Sequence, residues 1–138
     1  MTATATTTAR LNPQQVLADL EAKHLKSDIP LMDIGDTIEV HQRIVEGEKE
    51  RIQRFQGVLI ARSGGGINEM ITVRRVVDDI GVERVYPIHS PMIATFKVVR
   101  RGDARRAKLY FLRDRVGKKR RLRDRRRGLK HVANEPKG

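Results

Sequence analysis

Sixteen of the chain's 29 lysines and arginines fall within residues 100–130, where only Asp103, Asp114 and Asp124 oppose them. The formal net charge of the whole chain is +12, so the remaining residues are close to neutral and the charge belongs to one segment. Like charges at that density repel one another and oppose a compact state unless a polyanion neutralises them. Such a chain has to divide into a nearly neutral body that folds on apolar burial and a cationic arm completed by a partner. Nucleic acid is the partner class this points to. Within the arm Arg outnumbers Lys. A planar guanidinium fork engages two phosphate oxygens or stacks on a base, where an ammonium acts as a point charge, and this suits folded RNA. The apolar group Leu109, Tyr110, Phe111 and Leu112 interrupts the cations. It can anchor the arm to the body, the expected role, or its rings can stack on unpaired bases.

The neutral remainder bounds the body. A chain of 138 residues suits one domain with length left for tails. Apolar residues at 38% and charged residues at 33% mean that this domain has a small core. There is no Cys, which excludes disulfides and the common zinc modules. No apolar run approaches the ~20 residues needed to span a membrane. Residues 1–10 are rich in Thr and Ala without a hydrophobic stretch, so they are not a secretory signal; a truncated organellar transit peptide is the alternative.

Along the chain, residues 1–11 have little to bury and are expected to be a disordered tail. Asn12 and Pro13 predict a helix start, with Asn as N-cap and Pro where its missing N–H costs nothing. The helix is expected over residues 12–28, with Val16, Leu17, Leu20 and Leu25 as a narrow stripe that packs on the body or on a partner. From residue 30 the period changes. Thr37 to Val45 alternates as a first strand, and residues 46–50 form its turn. Arg51 to Arg62 is a second strand, with Ile52, Phe55, Val58 and Ile60 as core candidates and Gly57 as a bulge or sharp bend. Ile71 to Val77 is a third, Asp78 to Gly81 a turn, Val82 to Ile88 a short broken segment, and Ile93 to Val99 another strand. Strands this short, with Gly at the bends, predict a mainly β fold, a small antiparallel barrel over residues 30–112. Residues 113–138 are expected to be a basic RNA-binding extension; within it residues 118–127, nearly without apolar residues apart from Leu122, are expected to become ordered, as a helix for instance, only on a phosphate surface.

Catalysis finds no support. The loop Ser63, Gly64, Gly65 and Gly66 lacks the Lys and hydroxyl of a phosphate-binding loop, as does the stretch at Gly117, Lys118 and Lys119. It is either a plain hairpin loop or one that touches RNA. His24, His41, His89 and His131 are scattered, without the spacing of metal ligands. Glu46, Glu48 and Glu50 belong to a solvated hairpin tip, and neither Ser63 nor Ser90 sits in a nucleophile pattern. The expectation is therefore no enzyme, no metal, no cofactor and no small-molecule substrate.

The sequence closely resembles one family over residues 34–119. The matching pieces are Phe55, Gln56, Gly57, Val58, Leu59, Ile60 and Arg62; Thr72, Val73, Arg74 and Arg75; Gly81, Val82, Glu83, Arg84 and Val85; Ser90 and Pro91; Arg100, Arg101 and Gly102; Arg105, Arg106, Ala107, Lys108, Leu109 and Tyr110; and Leu112, Arg113, Gly117, Lys118 and Lys119. Together, in this order, they are similar to the nineteenth protein of the bacterial large ribosomal subunit. The Thr- and Ala-rich start and the Arg-dense residues 120–138 depart from that pattern, so their contacts do not carry over.

The resemblance implies that the barrel is SH3-like, preceded by a helix and followed by a basic C-terminal extension. It also implies a cytoplasmic, ribosomal location. The seat would be on large-subunit rRNA at the face toward the small subunit, with bridges to small-subunit rRNA and contacts to neighbouring large-subunit ribosomal proteins. The candidate RNA contacts are Arg100, Arg101, Arg105, Arg106, Lys108, Arg113, Lys118, Lys119, Arg120 and Arg121. The hairpin tips at residues 43–49 and 63–69 are candidates for the bridging surface. Two rivals remain: a DNA-compacting protein, and a module presenting an SH3-like groove to a peptide. Aromatic residues at only 4% and the absence of Trp disfavour the second.

Overall fold

The computed structural model describes residues 12–124. The expected tail at residues 1–11 and residues 125–138 of the expected extension lie outside the described residues.

Helix α1 spans Pro13–His24. Its N-cap is Asn12, whose side chain accepts from the Gln14 N–H at 3.2 Å, and Lys23 and His24 occupy the last turn, where cations suit the helix dipole. Leu25 is extended, so the helix ends short of the expected residue 28. No residue of α1 is buried, and Leu17 and Leu20 stand 59% and 48% exposed, so the stripe covers no core. The chain beyond the helix is held to the body through Lys26. Its N–H donates to His89 Nδ1 at 3.0 Å and its Nζ to the Ile93 carbonyl at 2.6 Å. Partial burial lowers its pKa from the ordinary 10.5.

Five strands follow: β1 (Thr37–Glu46), β2 (Lys49–Ser63), β3 (Met70–Val77), β4 (Ile80–Pro87) and β5 (Ile93–Arg100). They form one antiparallel sheet in the order β4-β3-β2-β1-β5. The turns are tighter than the sequence suggested. Gly47 and Glu48 alone join β1 to β2, with Gly47 at φ +61°, and Asp78 and Asp79 alone join β3 to β4, both at positive φ. Asp is among the few non-glycine residues that tolerate that region, so the hairpin closes without Ile80 and Gly81, which pair with Val77 and Val76 inside β4.

The sheet is not closed. Its edges β4 and β5 share no ladder among the described residues, so the mainly β, antiparallel fold expected is found, as an open sheet where a small barrel was expected. What replaces closure is curvature. Ile38 and Val40 of β1, Phe55 and Leu59 of β2, Ile71 and Val73 of β3, Tyr86 of β4, and Ile93 and Phe96 of β5 form one buried cluster with Met32 and Ile88. With α1 burying nothing, no second layer covers this face among the described residues, so the twisted sheet curls over its own side chains. Connecting segments seal the rim: Ile88 N–H donates to the Glu69 carbonyl at 3.0 Å and Arg43 N–H to that of Met92 at 2.7 Å.

A second, smaller core lies on the opposite face of β2. Leu59 points into the main cluster and Ile60 away from it by ordinary alternation, and the register slip between Leu59 and Ala61 keeps Ala61 with Ile60, Leu109 and Leu112. This is where the bulge sits. Gly57 is regularly paired with Ile38 and is instead a close crossing: a Cβ there would lie 2.5 Å from the Arg74 carbonyl oxygen. Ile52, a core candidate, is 58% exposed, because the β1–β2 hairpin extends beyond the core it serves.

Candidate nucleic-acid interface

The basic segment begins at a buried latch. Asp36, fully buried before β1, accepts from Arg101 Nη1 at 2.8 Å, from the Gly102 N–H at 3.2 Å and from the Asp33 N–H at 3.0 Å. Arg101 also donates to the Leu31 carbonyl at 2.6 Å. Gly102 packs so closely that a Cβ would come 2.0 Å from the Gly35 carbonyl oxygen, so only glycine fits.

Three further contacts pin the segment. Leu109 and Leu112 enter the second core, and the Leu109 N–H donates to the Ile60 carbonyl at 2.9 Å. Arg113, at the 3-10 turn Tyr110–Asp114, grips Glu83 of β4 with both prongs, Nε to Oε1 at 2.8 Å and Nη2 to Oε2 at 2.7 Å. Arg74 of β3 reaches the same carboxylate at 2.9 Å, passing so close to Gly81 that any side chain there would collide with its guanidinium. These bonds, first that of Arg113, hold the Glu83 pKa below the ordinary carboxylate value. Arg120, in the 3-10 turn Gly117–Arg120, bonds Asp79 at 3.0 Å. The segment then folds back on its own start: Asp103 N–H donates to the Arg123 carbonyl at 2.8 Å, Gly102 bridges to Asp124, and Arg100 pairs with the Asp124 carboxylate. Residues 118–124, expected to await a phosphate surface, are thus already seated, with Leu122 against the second core.

The ten candidate cations therefore divide. Arg100, Arg101, Arg113 and Arg120 are ion-paired within the chain, and Arg101 is nearly buried. Arg105, Arg106, Lys108, Lys118, Lys119 and Arg121 are exposed and have no carboxylate partner among the described residues. Of these, Lys108 donates to the Arg62 carbonyl at 2.9 Å, which orients it beside the loop after β2. Of the two roles considered for the apolar group, the structure shows anchoring. The two leucines anchor, Tyr110 remains 46% exposed under the Arg113 guanidinium at 4.6 Å, and Phe111 is half-buried beside Arg106 and Arg115.

Sequence reasoning missed the contribution of the sheet. A shallow depression over β1, β2 and β3 is lined by Arg54, Arg74 and Arg75 together with Glu39 and Val76. Val76 also lines a second depression with Lys118, Arg120 and Arg121, and Arg121 lines a third with Asp114, Arg115 and Lys119. No local signal marks Arg54 and Arg75 as neighbours; the pairing of β2 with β3 brings them to one depression. Among the described residues no group of His, Asp and Glu side chains could hold a metal ion, and no helix is long and apolar enough to cross a membrane.

A family model described as "Ribosomal protein L19" matches residues 15–125. Relatives named "Large ribosomal subunit protein bL19" are similar along most of their length. That of Microcystis aeruginosa is 55% identical over 115 residues, 83% of this chain and 96% of its own. That of Synechococcus elongatus shows the same identity and coverage, and that of Crocosphaera subtropica is 56% identical over the same shares.

Proposed function

The chain belongs to the ribosomal protein L19 family, as a structural protein of the large ribosomal subunit in the cytoplasm and not an enzyme, and from that premise we propose that it binds large-subunit rRNA through its basic segment. The open, curled sheet serves as the rigid mount, an SH3-like barrel in kind, and residues 113–138 are its basic extension. The observation that carries this reading is a set of three depressions sharing Val76 and Arg121, which brings cations of β2 and β3 near those of the arm. A ribose-phosphate strand presents charges at regular intervals, and a track of fixed guanidinium and ammonium groups matches it. Shape, phosphate and 2′-hydroxyl contacts dominate, because the major groove of an RNA helix is too deep and narrow for side chains to read.

The six exposed candidates make the direct contacts. Arg101 positions the arm, and Arg100, Arg113 and Arg120 divide their donors between the chain and the RNA. The hairpin tips at residues 43–49 and 63–69 face the small-subunit rRNA as part of the bridges, and other exposed faces meet neighbouring large-subunit proteins. Both tips project from the core: Val45 is 53% exposed, and Arg62 pairs with Glu69 across the base of the second.

The test is binding of the full chain to extracted large-subunit rRNA across a salt series, with duplex DNA as competitor at matched salt. Counting the six exposed candidates alone as phosphate contacts, the slope of log K against log salt is expected at about −4 or steeper, and Lys118→Ala with Lys119→Ala should make it shallower by about 1.4 to 1.8. Affinity independent of salt, or equal preference for the DNA, overturns the proposal.

A further inference from the structure

The second core opens to solvent between the 3-10 turn carrying Phe111 and the returning segment at Leu122. The opening, about 280 Å³, has Ala104, Leu109 and Leu122 as its apolar floor and Phe111 as one wall. Arg105, Arg106 and Arg123 stand around it, and so does the carboxylate of Asp103. Asp103 is exposed and makes no side-chain hydrogen bond or ion pair among the described residues, although it lies within the most cationic part of the chain. The Arg115 guanidinium lies against the Phe111 ring at 4.4 Å, whereas that of Arg106 stands off at 5.8 Å.

We propose that this opening is a nucleobase subsite, receiving one unpaired base of the bound RNA against Phe111, with Asp103 reading its amino edge. The proposal rests on the RNA-binding reading above and adds a contact to a base where that reading has only contacts to the backbone. An apolar floor, an aromatic wall and a planar guanidinium are the surfaces on which splayed-out bases stack. The cationic rim favours a nucleotide over an apolar side chain from another protein, because it also holds the flanking phosphates. Arg106, the looser of the two guanidiniums at the ring, yields its place to the base or stacks on its far side. An ionised carboxylate only accepts hydrogen bonds, so Asp103 selects a base whose edge donates. Guanine offers two adjacent donors, its N1–H and its 2-amino group. Phe111 and Asp103 therefore form a small specific site within an otherwise sequence-indifferent surface.

The experiment is zero-length ultraviolet crosslinking of the full chain on extracted large-subunit rRNA, followed by nuclease digestion and mass spectrometry of peptide–nucleotide adducts. The expected result is a guanosine adduct on Phe111. Phe111→Leu, which keeps the wall apolar, should abolish that adduct and weaken RNA binding about 5-fold or more. Asp103→Asn, a change at an exposed side chain, should leave the melting temperature unchanged and erode the preference for guanosine. RNA binding that is undiminished in Phe111→Leu, with no adduct at Phe111 in the parent chain, overturns the subsite and leaves the backbone-binding function standing; the opening would then suit a side chain of a partner protein. An adduct carrying other bases, unchanged by Asp103→Asn, overturns the reading role of the carboxylate. Failure of the parent chain to bind the RNA at all overturns the functional proposal itself, and this inference with it.

Discussion

Asp36→Ala should cost this protein more than any change on its cationic surface. The carboxylate is fully buried and faces a guanidinium whose side chain is only 12% exposed. Removing one partner of a buried pair leaves the other charge in a poor solvent, at a cost of about 3–5 kcal/mol. The N–H groups of Gly102 and Asp33 lose their acceptor at the same time. Such contributions overlap, so a total of about 4 kcal/mol is the working figure, a large fraction of the roughly 5–15 kcal/mol that holds a domain together. For a body of this length it corresponds to a fall in Tm of about 15 °C. Urea titrations of the full chain, followed by circular dichroism, would measure it. The decisive comparison is the double variant Asp36→Ala, Arg101→Met, in which the stranded charge is also removed. Its destabilisation should fall short of the sum of the single changes by about 2 kcal/mol or more. A loss below about 1 kcal/mol for Asp36→Ala, or strict additivity in the double variant, would refute the latch, since neither is compatible with a desolvated charge depending on one partner.

Two other outcomes test the arm and the tips. Because Arg113 and Arg74 hold the Glu83 pKa below its ordinary 4.5, the contribution of this carboxylate to stability is fully present above that value and is lost as the pH falls toward the depressed one. Melting curves recorded through that acid range should fall for the parent chain and be flatter for Glu83→Gln; parallel curves would sink the assignment. Replacing the polar residues of the tips at 43–49 and 63–69 should weaken joining of the ribosomal subunits in sedimentation while leaving incorporation into the large subunit intact. Loss of incorporation would contradict the bridging role.

What could be read from the residues in order was mostly local. Asn12 and Pro13 announce a helix start because capping needs only a neighbouring N–H, and Ile38, Val40, Ile71 and Val73 announce an inner face because a strand alternates. The resemblance found in the same sequence carried the family. Other features depend on residues far away along the chain. Arg101 and Arg105 look alike in the sequence, yet one is turned inward by an aspartate 65 positions earlier while the other stays in solvent. Gly57 and Gly81 resemble bend glycines, but both make room for Arg74, one for its backbone and the other for its guanidinium. The exposure of Ile52 shows the limit of alternation, which identifies a face and not the point at which a strand leaves the core.

The arrangement of charges also bears on how the arm meets its partner. A solvated arm would have to be ordered at the moment of binding, at about 1–2 kcal/mol of backbone entropy for each residue fixed. Here Asp36, Asp79, Glu83 and Asp124 each hold one arginine of the segment, and two leucines fasten its middle. Those pairs withdraw charge from the interface, so fewer counterions are released on RNA and the salt dependence is shallower than the full cation count implies. In exchange the remaining cations are presented in place, and less of the interaction energy is spent on ordering. The two effects separate experimentally. Breaking the grip of Glu83 on Arg113 by Glu83→Gln adds a more available cation, so the salt slope should steepen. It also loosens the arm, so affinity extrapolated to high salt, where the phosphate contribution fades, should fall. A steeper slope without that fall would mean that the anchors do not preorganise the arm.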